Sequence, residues 1–143
     1  MNIKFNYLVS FLAILIAGCS KVNDQQSTVV LPTGTFTGQF LRITANPTKG
    51  YDTTARANLQ LSLSSSAGFK ITGDTSLHAG SFGSYAVNSF YMQFNDQSIN
   101  TVSKPIKYHL NGVYNYEYNG TQLDIYVNYS DTLSYQYILN KTN

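Results

Sequence analysis

The chain has a single cysteine, no tryptophan, three prolines and only 11% charged residues among 143 positions. One cysteine cannot build an internal disulfide framework, so the fold must stand on its core alone. The formal charge is +2, and losing Lys4 with a cleaved leader would leave +1. Such a balance excludes the basic or acidic stripe that a nucleic-acid or polyelectrolyte partner needs. No apolar run reaches the roughly 20 residues of a transmembrane helix. Gly-x-Ser-x-Gly, phosphate-loop and dinucleotide signatures are missing, as are paired-Cys and His-x-x-x-His spacings. These absences argue against an enzyme, a cofactor and a metal.

What the chain does have is twelve tyrosines and eight phenylalanines. With Thr, Val and Ile they suit a pleated, half-buried surface, and the expected class is all-β. Before that aromatic part stands a different segment. Lys4 gives a positive n-region, and Tyr7 to Ile16 form an apolar stretch interrupted only by Ser10. Ala17 and Gly18 are small enough to let a peptidase reach the bond before Cys19. The stretch Leu15-Ile16-Ala17-Gly18-Cys19 resembles a bacterial lipobox. That resemblance implies a signal peptide over 1–18, with Cys19 acylated and anchored in a membrane as the mature N-terminus. Ser20 follows where an Asp would imply inner-membrane retention, so an outer-membrane lipid anchor is expected, on the periplasmic or cell-surface face. Residues 19–33 then read as a polar, flexible tether, and 34–143 as one domain.

Alternating polarity marks eight strands, at about 35–43, 55–63, 68–74, 79–87, 90–95, 106–118, 121–129 and 133–140. Asn119-Gly120 reads as a two-residue type I′ turn pairing Tyr116 with Leu123, Tyr114 with Ile125, Glu117 with Gln122 and Asn115 with Asp124. A three-residue loop at Ser130–Thr132 pairs Tyr129 with Leu133, Val127 with Tyr135, Ile125 with Tyr137 and Leu123 with Leu139. A tight turn at 87–90 sets Tyr85 opposite Met92. The loop Ser64–Gly68 pairs Leu63 with Phe69 and Leu61 with Ile71. Eight short antiparallel strands can close into an up-and-down barrel, which removes the exposed sheet edges; a β-sandwich is the alternative.

The order of these segments resembles the small lipocalin-like lipoproteins of the Bacteroidetes. It runs through Gly34-Thr35-Phe36-Thr37-Gly38, Gly83-Ser84-Tyr85, Leu110–Tyr116, Leu123-Asp124-Ile125 and the closing Tyr135–Leu139. Phe36 stands where true lipocalins carry Trp, and the chain stops directly after its last strand, without their helix. The resemblance implies an eight-stranded lipocalin-like barrel that works by binding rather than by catalysis. Asp52-Thr53-Thr54 and Asp131-Thr132-Leu133 also look like a short O-glycosylation motif of that group.

Candidate chemistry is sparse. His78 and His109 stand alone, and a lone strand histidine is more often a polar core or surface residue than a ligand. Glu117 and Asp124 share a predicted wet face, where carboxylates are solvated rather than tuned for acid–base work. Tyr114, Tyr116, Tyr135 and Tyr137 share a predicted face with Phe90, Met92 and Phe94. That stripe is either a packed core or the wall of a pocket, since an eight-stranded barrel is just wide enough for either. Under the pocket reading, Tyr85, Met92, Tyr114 and Tyr135 bind a small apolar or amphiphilic ligand at the barrel mouth. The long connection Thr44–Thr54 would be a lid presenting Lys49 and Tyr51. The alternative is a filled barrel acting as a protein-interaction module of the cell envelope.

Overall fold

The computed structural model describes residues 30–99 and 106–142. Cys19, the leader-like segment and most of the tether lie outside the described residues. Eight strands follow in chain order: β1 Gly34–Asn46, β2 Gly50–Ser64, β3 Gly68–Gly73, β4 Phe82–Val87, β5 Tyr91–Asp96, β6 Gly112–Tyr118, β7 Gln122–Ser130 and β8 Leu133–Lys141. Each is antiparallel to the next, and β8 returns to β1, so the sheet closes into an up-and-down barrel. Closure excludes the sandwich alternative. The chain enters β1 at what we term the near end, which also holds the β2–β3, β4–β5 and β6–β7 turns. The far end holds the β1–β2 and β7–β8 turns and the crossing segments 74–81 and 106–111.

Alternation decides what lies inside. Phe36, Phe40, Leu59, Leu61, Leu63, Phe69, Ile71, Met92, Phe94, Tyr114, Leu123, Ile125, Tyr137 and Leu139 point inward and are buried. Tyr116, Val127 and Tyr135 pack partly buried against them. Gly38 fits the same inward series because β8 runs too close for a side chain. A Cβ there would stand 2.0 Å from the Ile138 carbonyl oxygen. Phe90, expected on the face of Met92, stands instead in the β4–β5 turn and is 71% exposed.

The registers agree with the sequence reading at Leu61–Ile71 and Leu63–Phe69, and at Leu123–Leu139, Ile125–Tyr137 and Val127–Tyr135. Two hairpins are displaced by two residues. Tyr118 pairs with Leu123 and Tyr116 with Ile125, and Glu117 faces Asp124. Likewise Tyr85 faces Phe94, and Val87 faces Met92. The cause is the same in both turns. Asn119 Oδ1 accepts from the backbone N–H of Thr121 and Gln122, at 3.0 and 2.8 Å. Asn88 Oδ1 accepts from Phe90 and Tyr91, both at 2.8 Å. This side-chain turn widens the loop and needs no positive φ at Asn. Among the described residues only glycines, Gly120 included, have positive φ, so the type I′ expectation fails at Asn119.

The same device corrects the lid. Asn46 Oδ1 accepts from the N–H of Thr48 and Lys49, closing a tight turn at Pro47–Lys49. The supposed loop is therefore a strand extension of β1 and β2, with Lys49 at its tip. Expected strand residues at 79–81 and 106–111 lie outside the strands. They cross the far end, where His78 and Tyr108 form a lone parallel bridge. Backbone bonds from Tyr108 N to Leu77 O and from Ala79 N to Tyr108 O lock the crossing at 3.0 and 2.7 Å.

Two bulges bend the wall near the far end. The β1–β2 register shifts between Arg42 and Ile43. The β7–β8 register shifts between Asn128 and Ser130, leaving Tyr129 unpaired and replacing the expected Tyr129–Leu133 pair by Ser130–Leu133.

Candidate functional site

Of the four residues expected to line a mouth, Met92 and Tyr114 are buried in the core, and Tyr85 and Tyr135 pack against it partly buried. Met92 and Tyr114 face each other across β5 and β6, with 0% and 1% exposure. Tyr85 stacks on Phe94 at 6.3 Å, and Phe94 meets the edge of Tyr114 at 5.9 Å. Tyr135 belongs to a second cluster, with ring distances of 5.5 Å to Phe40, 5.5 Å to Tyr108 and 4.9 Å to Tyr129. Tyr137 joins the two, 5.1 Å from Phe40 and 6.1 Å from Tyr114. These stacked, tilted and edge-to-face rings join the two clusters into one aromatic core. Burial pushes the Tyr114 and Tyr137 hydroxyls well above the ordinary tyrosine range, so both stay protonated.

Sequence reasoning missed the far-end plug. His78 is 0% exposed and rests edge-on against Phe40 at 5.1 Å. Its Nδ1 lies 2.7 Å from the Ala79 carbonyl, which can only accept. Nδ1 therefore carries the proton, and Nε2 accepts from the Tyr137 hydroxyl at 2.9 Å. Burial lowers the His78 pKa to about 4, and the bond to Ala79 only partly opposes this. The ring is neutral near pH 7 and enclosed. Nothing in the spacing of a lone His announces such a role; only its place between aromatic strands hints at it.

Beside it, Asp96 accepts from the N–H and hydroxyl of Ser98 at 2.7 and 2.6 Å, and its other oxygen meets His109 Nδ1 at 2.7 Å. Burial would raise this carboxyl, but the bonds from Ser98, His109 and Ser81 outweigh it and hold the pKa below the usual range. Glu117 and Asp124 are cross-strand neighbours on the outer wall, where the Gln122 amide donates to both Asp124 oxygens at 3.1 and 3.0 Å. Among the described residues no three His, Cys, Asp or Glu side chains gather in metal-binding geometry.

Two hollows among the described residues lie elsewhere. A groove of about 700 Å³ runs across the outer wall at the far end, with Tyr51, Ile43, Ser134 and Asn128 on four successive strands. Tyr51 thus sits on the outer wall rather than over the mouth. A smaller hollow of about 350 Å³ opens at the near end beside Val30, Tyr116 and Tyr118. Neither contains Tyr85, Met92, Tyr114 or Tyr135. Compared with family models, curated proteins and solved structures, the chain matches none.

Proposed function

We propose that this chain is a membrane-anchored, non-enzymatic lipoprotein of lipocalin-like build, whose filled barrel is a rigid interaction module of the cell envelope. Cys19 would carry the acyl groups and fix the near end toward an outer-membrane leaflet, leaving the β1–β2 hairpin pointing away. The observation that carries the reading is the lumen itself. Phe40 is enclosed by His78, Tyr108, Tyr135 and Tyr137 at 5.1–5.5 Å, so contacts with partners fall to the outer wall and the turns. An eight-stranded barrel permits such complete filling.

The test is fractionation of cells making the wild type or Cys19→Ser, with labelling by a fatty-acid analogue. The reading expects a labelled wild type in the membrane fraction and an unlabelled, soluble variant. Equal distribution of the two would end it. Capture of an envelope protein by the wild type, weakened by Lys49→Glu at the hairpin tip, is the expected sign of the interaction role.

A second reading, a small apolar or amphiphilic ligand at the mouth, draws on the near-end hollow between Tyr116, Tyr118 and Val30. It would place the ligand near the membrane rather than among the core tyrosines.

A further inference from the structure

The two bulges stand level with each other on either side of Ser134. Ser134 pairs with Ile43 on β1 and with Asn128 on β7, the residues at which the two registers shift. A bulge bends its strand and re-aims the residues beyond it. On β2 the inward residues Ala57, Leu59, Leu61 and Leu63 are all odd-numbered. The bulge resets that alternation, so Tyr51 pairs with outward Ala45 and is 67% exposed. The wall bends around Ser134, and the groove of about 700 Å³ lies in the bend. Its size falls in the range of small-molecule sites, about 300–1,000 Å³.

The lining has a definite chemistry. Tyr51 offers a ring face, Ile43 an apolar contact, and Asn128 and Gln136 planar amides that both donate and accept; Asp131 adds an acceptor. Among the described residues no Lys, Arg or His lines the groove, which disfavours phosphate, sulfate or carboxylate ligands. Ser134 Oγ is buried without a hydrogen-bond partner among the described residues. With no accessible surface it cannot meet a ligand, so Tyr51, Asn128 and Gln136 are what the groove offers. A purely apolar ligand would strip water from the amides and return nothing. A sugar ring, with an apolar face and a rim of hydroxyls, meets each of these groups. We infer that this outer-wall groove binds a neutral saccharide, with Tyr51 stacking on the ring and Asn128 and Gln136 reading its hydroxyls. The groove belongs to the barrel wall, so the inference holds or fails independently of the Cys19 anchor.

The test is titration of the full chain, in detergent micelles, with maltose, cellobiose, mannobiose and chitobiose, followed by backbone amide NMR shifts. Glucose 6-phosphate and sialic acid are the anionic comparators. The expected result is saturable shifts on β1, β7 and β8 around Ser134 with at least one neutral disaccharide. Tyr51→Ala should weaken that binding at least about tenfold, while Tyr51→Phe keeps most of it. No saturable shift on the panel, full affinity in Tyr51→Ala, or tighter binding of the anionic sugars would overturn the inference.

Discussion

His78 Nε2 accepts a hydrogen bond from the Tyr137 hydroxyl at 2.9 Å, and the two side chains are 0% and 1% exposed. The bond ties the segment crossing the far end to β8. It also makes a neutral imidazole part of the core. The residues that close the barrel and those that fill it are thus one cluster, with Phe40 packed against both rings.

This pair predicts a pH dependence of stability. His78 titrates near 6.5 when unfolded and at about 4 when folded. Between those values the unfolded chain binds more protons, so its contribution is complete above about pH 6.5 and is lost as pH falls toward 4. The loss is about 3 kcal/mol in all. Thermal melts from pH 7.5 to 4 should show this decline. His78→Leu should flatten it, while starting from lower stability because the Tyr137 hydroxyl loses its acceptor. A wild-type stability that stays level over this window would refute the assignment.

Asp96 acts in a lower window. Its folded pKa is depressed, so its contribution is present above about pH 4 and is lost as pH falls further. Asp96→Ala removes the acceptor of both Ser98 bonds and of His109. Denaturant unfolding at pH 7 should show a loss of about 2–4 kcal/mol, the range for breaking a buried charged network.

Gly38 is set by a close approach. An added Cβ would lie 2.0 Å from the Ile138 carbonyl oxygen, a backbone atom that cannot swing away. Gly38→Ala should therefore force β1 and β8 apart and cost at least about 3 kcal/mol, the size expected of steric strain in a packed wall. Urea unfolding of the variant checks this.

The Asn119 turn gives a test of turn chemistry. Its Oδ1 holds the backbone N–H groups of Thr121 and Gln122 and the Thr121 hydroxyl. Asn119→Gly should lose about 1 kcal/mol, because those bonds go. A type I′ turn would tolerate the same change with little effect.

The all-β class, the eight strands and most inward residues were legible because alternation runs through β6, β8 and the parts of β2 and β7 outside their bulges. The β2–β3 register was legible too, as its short Ser-rich turn allows one pairing. The slips at Asn88 and Asn119 have a single physical origin. A side-chain oxygen can stand in for a backbone partner, and Asn-Gly does not reveal which it will do. A slip of two keeps each side chain on its own face, so the core reading survived it. The β1–β2 extension was hidden because Asn46, Pro47, Lys49 and Gly50 look like loop composition, while the strands flanking them continue. The outer groove left no motif, since it arises from two bulges far apart in sequence. Tyr51 was singled out, but its direction depends on a bulge that composition does not encode. His78 was visible only as a lone histidine; its partner Tyr137 lies 59 positions away.

The most direct measurement on the central claim is native mass spectrometry of the full chain, taken gently from the cells that make it. The account predicts a chain beginning at acylated Cys19, with an unladen lumen and no retained apolar molecule. A chain still beginning at Met1, or a reproducible extra apolar mass of a few hundred daltons that survives in Cys19→Ser, would contradict it.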